Sequence, residues 1–66
     1  MRKFNEKNPT SRDFQKMVKR NGFEYIRCRG SHHIYKRNDK EIAIPNKLNR
    51  MIARRLIKEN ALDITA

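Results

Sequence analysis

The chain contains one cysteine, Cys28, in 66 residues. A lone thiol excludes an internal disulfide and, with it, a small scaffold held together by cross-links. Cys28 and the only two histidines, His32 and His33, lack the paired ligand spacing of a zinc site, so Cys28 reads as a small, half-buried strand residue. No apolar run approaches the ~20 residues that a helix needs to cross a bilayer. The N-terminus is basic but no apolar stretch follows it, which argues against a signal peptide. The expected location is therefore the cytoplasm, away from any membrane. Acidic residues are scarce too: seven Asp and Glu stand against seventeen Lys and Arg. Asp13, Asp39 and Glu41 are scattered and suit a helix start, a turn and a strand edge. No carboxylate cluster offers itself to a divalent cation, so neither a metal nor another cofactor is expected. Internal repeats and low-complexity segments are also missing.

What is present is positive charge, a formal +10. Solubility alone asks for a net charge of only ~2–8 in a small domain. The cations run through the whole chain and are interleaved with apolar residues, so they belong to a folded body and not to a basic tail. Each can attract a phosphate and release a condensed counterion. A chain of this length buries only ~60% of its unfolded surface. Any site must lie on the surface of one sheet or helix, which suits a polymer substrate such as RNA better than a small metabolite.

Residues 1–9 read as a loose N-terminal arm, with Phe4 able to dock, and 10–66 as one domain. Thr10 or Ser11 suits a helix cap, and Asp13 places negative charge in the first turn. Phe14, Met17 and Val18 at i, i+3, i+4 form one apolar stripe, and Asn21-Gly22 ends the helix. Phe23 to Cys28 is a strand by composition and near-alternation, Arg29-Gly30 a turn, and Ser31 to Arg37 a second strand. Asn38-Asp39-Lys40 is a turn, and Glu41 to Ile44 a short third strand stopped by Pro45. Such short connections demand an antiparallel meander. A second helix runs from about Leu48 to about Leu62, capped by Asn46 or Asn49. Leu48, Met51, Ile52, Leu56 and Ile57 form its apolar stripe, with a basic ridge of Arg50, Arg54 and Lys58 beside it. The expected fold is α+β, an α-β-β-β-α double-stranded-RNA-binding-like arrangement. Two helices cover one face of a three-stranded antiparallel sheet and leave the other in solvent.

Histidine is the side chain whose unperturbed pKa lies nearest neutrality. In a basic field it suits proton transfer on a phosphodiester. Cleavage by the 2′-hydroxyl needs a base, a cation for the phosphorane charge and an acid for the leaving oxygen. His32 and His33 are the candidates for the proton steps. Consecutive strand residues point to opposite faces, so His32 shares a face with Ile34 and His33 with Tyr35. If Ile34 is core, a regular strand turns His32 inward, unless Gly30-Ser31 loosens the strand start. Arg27, Arg29, Lys36 and Arg37 flank the histidines as phosphate contacts. Tyr35 and Tyr25 offer rings on which a base can stack, although packing is the plainer role for Phe14, Phe23 and Tyr25. On the residues alone, a half-exposed strand position is also the plainer account of either histidine.

The motifs add a resemblance. Lys19-Arg20-Asn21-Gly22-Phe23 is similar to the first-helix exit N-G-[FW] of the HicA toxin family. Arg29-Gly30-Ser31-His32-His33-Ile34-Tyr35-Lys36 is similar to its K-G-S-H-H-x-[YF] signature. Ile42 to Pro45 is similar to its V-x-V-P strand, and Leu56 to Leu62 resembles its terminal I-L-K-Q-A-G-L. The likeness runs from about Thr10 to Leu62. It implies a ribonuclease that cleaves messenger RNA, held inactive by a HicB-like antitoxin, monomeric when free and hetero-oligomeric with the antitoxin. It places His32 in the catalytic position, His33 second, and Gly30 and Ser31 among the RNA contacts. Two departures stand out. Family members often carry a second histidine after the proline and a Gly-Thr pair opening the last helix; Pro45-Asn46-Lys47-Leu48-Asn49 has neither. A non-catalytic RNA-binding module is the alternative, and a basic face that recruits an acidic protein is a third reading.

Overall fold

Thr10 caps the first helix: its extended backbone presents a hydroxyl that accepts the amide of Asp13 at 3.1 Å. That satisfies one of the amides a helix start leaves unpaired. Asp13 in the first turn and Lys19 and Arg20 in the last complement the helix dipole. The computed structural model of the protein describes residues 4 and 7–65. In it, α1 (Ser11–Arg20) is followed by β1 (Glu24–Arg29), β2 (His32–Arg37), β3 (Lys40–Pro45) and α2 (Arg50–Asn60). The strands form one antiparallel sheet in the order β1-β2-β3. The α-β-β-β-α order and the meander are those expected from the turn chemistry.

Phe14, Met17 and Val18 of α1 are fully buried, each side chain contributing ~1.5–3 kcal/mol by leaving water. They share one core with Tyr35, Ile42 and Ile44 from the sheet and Ala53 and Leu56 from α2; Phe4, Phe23 and Leu62 complete it. Tyr35 pairs with Ile42 and His33 with Ile44, so Tyr35, Ile42 and Ile44 lie on one face, and both helices cover that face. Phe4 meets Phe14 edge to face at 5.4 Å, so it is docked on the body. The rest of the expected arm falls partly on residues 1–3 and 5–6, outside the described residues.

Both helices end in the same way. After α1, Gly22 adopts φ +89°, Gly22 N–H donates to Lys19 O and Phe23 N–H to Val18 O. This is a Schellman closure. After α2 the same pair of bonds runs from Ala61 to Lys58 and from Leu62 to Ile57, but the left-handed position is held by Ala61, φ 49°. Asn21 then ties the ends together. Its side chain donates to Met17 O and Asp63 O and accepts from Asp63 N–H, at 2.9, 3.1 and 2.8 Å. Its carbonyl accepts Arg37 Nη1 at 2.7 Å. One residue thus joins α1, the segment after α2 and the end of β2.

Several expectations need correction. The last helix starts at Arg50, because Asn49 caps it by accepting Ile52 N–H at 2.9 Å. Leu48 lies before the cap, packed on the core from outside the helix. Met51 is 81% exposed. It stands about 200° around the helix from Ala53, and Ala53 takes the core position. The near-alternation of the first strand breaks at Ile26, where a bulge shifts the register between Tyr25 and Arg27. All six residues of β1 are exposed, so Cys28 is exposed and not half-buried. Tyr25, 48% exposed, makes an edge contact with Tyr35 at 5.5 Å.

A non-glycine residue in the left-handed region is strained by roughly 1–2 kcal/mol, and glycine returns part of that gain through unfolded-chain entropy. Ala61→Gly is therefore expected to stabilise the protein by up to ~1 kcal/mol, with a rise of several degrees in thermal midpoint. An unchanged or lower midpoint would contradict this. Tyr35 supplies a second prediction. Burial, and secondarily Tyr25, raises its phenol pKa above 10.0. The folded protein therefore holds that proton more tightly than the unfolded chain. Its contribution to stability is complete below the unfolded pKa and is lost as pH rises through the folded one. Tyr35→Phe should cost about 0.5–1.5 kcal/mol at neutral pH through the lost hydrogen bond and show a shallower alkaline decline in denaturant titrations.

Candidate active site

The β1–β2 hairpin turns through Gly30 and Ser31, because Arg29 and His32 are already paired. Gly30 has φ +62° and open space where a Cβ would stand. The backbone conformation, not crowding, calls for glycine, as at the first position of a two-residue II′ turn. Ser31 O accepts Asn46 N–H at 2.8 Å, which draws the segment after β3 against the start of β2.

Register decides where each side chain goes. Tyr35 is 2% exposed beneath the helices, and its hydroxyl donates to Gln15 Oε1 at 2.8 Å. His33 and Arg37, two residues to either side, lie on the same face. His32, Ile34 and Lys36 lie on the open face, joined there by their partners Arg29 and Arg27. Ile34 is nevertheless 6% exposed, buried on the open side and not part of the main core cluster. The expectation that a buried Ile34 turns His32 inward is thus reversed. Both Ile34 and Tyr35 are buried, on opposite faces, and the helices cover the Tyr35 side.

The two histidines have different surroundings. His32 is exposed, opposite Arg29 on one side and Pro45 on the other, and it has no hydrogen-bond partner among the described residues. His33 is half-buried, and its Nε2 lies 2.5 Å from Asn46 Oδ1. An amide oxygen only accepts, so Nε2 carries the proton there. The Tyr25 ring stands 6.4 Å from the imidazole. Asn46 therefore holds the hairpin by its backbone and His33 by its side chain. It directly follows Pro45, at the end of β3.

Of the expected RNA contacts, Gly30, Ser31, Arg27, Arg29 and Lys36 are exposed around His32 or on its face. Tyr35 belongs to the core and has no ring face open to a base. Arg37 is half-buried: its Nη1 donates to Asn21 O and its guanidinium sits 4.8 Å over the Phe23 ring, a cation–π contact that holds the end of β2. Sequence reasoning missed Gln15 and Asn46. Polar residues of that kind announce no partner in a one-dimensional pattern, although the position of Asn46 after Pro45 was a signal.

A family model of the HicA toxin of bacterial toxin–antitoxin systems matches residues 11–63. The chain belongs to the HicA toxin family. Comparison with curated proteins and with solved structures found no match. The matched span begins with α1, takes in the whole sheet and ends just past α2. As a HicA toxin the protein is the toxin half of a pair and has an antitoxin partner. No helix among the described residues is long and apolar enough to cross a membrane.

The geometry separates a scaffold histidine from a free one. His33→Ala removes the bond to Asn46 and is expected to cost about 0.5–1.5 kcal/mol, whereas His32→Ala should stay within roughly 0.5 kcal/mol of the parent. Urea unfolding of the two variants checks this, and equal losses would contradict the assignment.

Proposed function

We propose that this HicA toxin is an endoribonuclease that cleaves messenger RNA on the open face of its sheet, with His32 as the proton-transferring group. The observation that carries the reading is the exposed imidazole of His32 beside Arg29, unpartnered among the described residues, set against a His33 bonded to Asn46. The 2′-hydroxyl of the substrate loses its proton to the His32 imidazole as its oxygen attacks the adjacent phosphorus. Arg29 and Arg27 stand on the same face to offset the charge that grows on the phosphorane oxygens. The bond to the 5′-oxygen then breaks, leaving a 2′,3′-cyclic phosphate, and the leaving oxygen takes a proton from solvent, to which this face is open. Imidazole catalysis of this kind typically contributes ~10²–10⁴-fold per proton step and calls for no metal. Gly30 and Ser31 form the turn that sets His32 at the strand start, and Lys36 extends the cationic track along β2.

Messenger RNA as substrate places the protein in the cytoplasm, active as a free monomer and silenced in a hetero-oligomer with a HicB-like antitoxin. A non-catalytic RNA-binding module is the second reading. It draws on a specific observation: with His33 engaged and Asn46 after Pro45, one free imidazole remains for two proton steps. That reading predicts salt-sensitive RNA binding without cleavage at any protein concentration.

Expression in cells distinguishes these readings. The parent should arrest growth and degrade messenger RNA. His32→Ala should lose both at unchanged protein level, by at least ~10²-fold in cleavage rate. His33→Ala should retain cleavage in proportion to its folded fraction. A His32→Ala variant as toxic as the parent would sink the catalytic assignment.

A further inference from the structure

The helices carry charge that the open face does not use. In α1, Arg12, Lys16 and Arg20 recur at i, i+4, i+8, and in α2, Arg50, Arg54 and Lys58 repeat the same spacing. All six are exposed, and none has an ion-pair partner among the described residues. The ion pair on α2 is formed beside the ridge, between Arg55 and Glu59 at 4.0 Å. In α1 the ridge lies on the side of the helix away from Phe14, Met17 and Val18. In α2 it starts beside the core face at Arg50 and winds toward the side of the exposed Met51 by Lys58. Both helices cover the sheet face opposite His32, so the ridges belong to a different layer from the open face.

Four residues of helix rise about 6 Å, comparable with the separation of successive phosphates along an extended RNA strand. Three cations at that interval form a track for a phosphate backbone. Six ridge cations stand against the two acidic residues of these helices, Asp13 and Glu59, and this periodic excess of positive charge favours a polyanion over a protein surface. We propose that the helical layer is a second, sequence-independent RNA-binding surface. It holds the phosphate backbone of a long single strand while another part of that strand lies at His32. The body measures 26 × 22 × 21 Å, so only an RNA long enough to pass around it engages both faces. The two surfaces then act as linked modules, and the second contact becomes intramolecular. Long transcripts would bind more tightly than short oligonucleotides with the same cleavage site. This rests on RNA being the ligand of the open face only for its biological purpose; binding at the helices is measurable by itself.

The test uses the full chain with His32→Ala, so that bound RNA stays intact. Fluorescence anisotropy with long polyuridylate is followed over a range of salt. Three backgrounds are compared: R12Q/K16Q/R20Q, R50Q/R54Q/K58Q, and the open-face set R27Q/R29Q/K36Q. Each neutralised single-strand phosphate contact contributes about −0.7 to the slope of log affinity against log salt. Each helix triple is therefore expected to flatten the slope by about 2 on long RNA, with thermal midpoints showing the fold intact. With a pentanucleotide the open-face set should matter and the helix triples should not. Folded helix triples that leave the long-RNA slope unchanged overturn the proposal, and the ridges are then solvated or protein-facing. If that happens while the open-face set still weakens binding, the ribonuclease reading survives. A parent that binds no RNA overturns both.

Discussion

The burial of Tyr35 in the central strand is the constraint on which the site depends. A side chain that large, placed under two helices in a domain this small, admits one register. Shifting β2 by one residue would expose the ring and drive Ile34 or Lys36 against the core. The hydroxyl's bond to Gln15 fixes the same register from the α1 side and satisfies a polar group that burial would otherwise penalise. Once Tyr35 faces the helices, alternation sends His33 to that side and His32 to the open one. Two adjacent histidines of one motif thereby acquire different environments with no irregularity in β2. The bulge lies across the pair, at Ile26 in β1.

Asn46 completes the separation. Its amide proton goes to Ser31 O and its side-chain oxygen to His33, so one residue anchors both the turn that carries His32 and the histidine that supports it. Asn21 does the corresponding work at the other end of the sheet, where α1, the segment after α2 and Arg37 converge. The Gly-Ser-His-His and Asn-Gly-Phe motifs therefore have distinct physical meanings. The first builds a surface with one free imidazole, and the second closes the fold that presents it.

Much of this was legible in the sequence. The stripe Phe14, Met17, Val18, the caps and the short turns specify element order, meander and helix placement, because those signals are local and periodic. The open face was legible as a consequence. Facing was not, since Ile34 and Tyr35 are both apolar and both buried, and alternation cannot say which side two helices will cover. Met51 fits an apolar stripe only with Leu48 inside the helix, and α2 starts at Arg50. Tyr35 and Arg37 both take part in packing the fold, and aromatic and basic side chains look alike in sequence whether they pack or bind. The pairings of Gln15 and Asn46 are tertiary and left no periodic trace, while the strain at Ala61 was marked by the glycine that the similar family motif carries there.

The chemistry assigned to the open face is tested most directly by the ends of the RNA it produces. Purified parent protein incubated with a defined RNA should leave fragments ending in 2′,3′-cyclic phosphate, and His32→Ala should leave the RNA intact. Fragments with 3′-hydroxyl and 5′-phosphate ends, or cyclic-phosphate ends from His32→Ala at the parent's rate, would contradict attack by the 2′-hydroxyl assisted by His32.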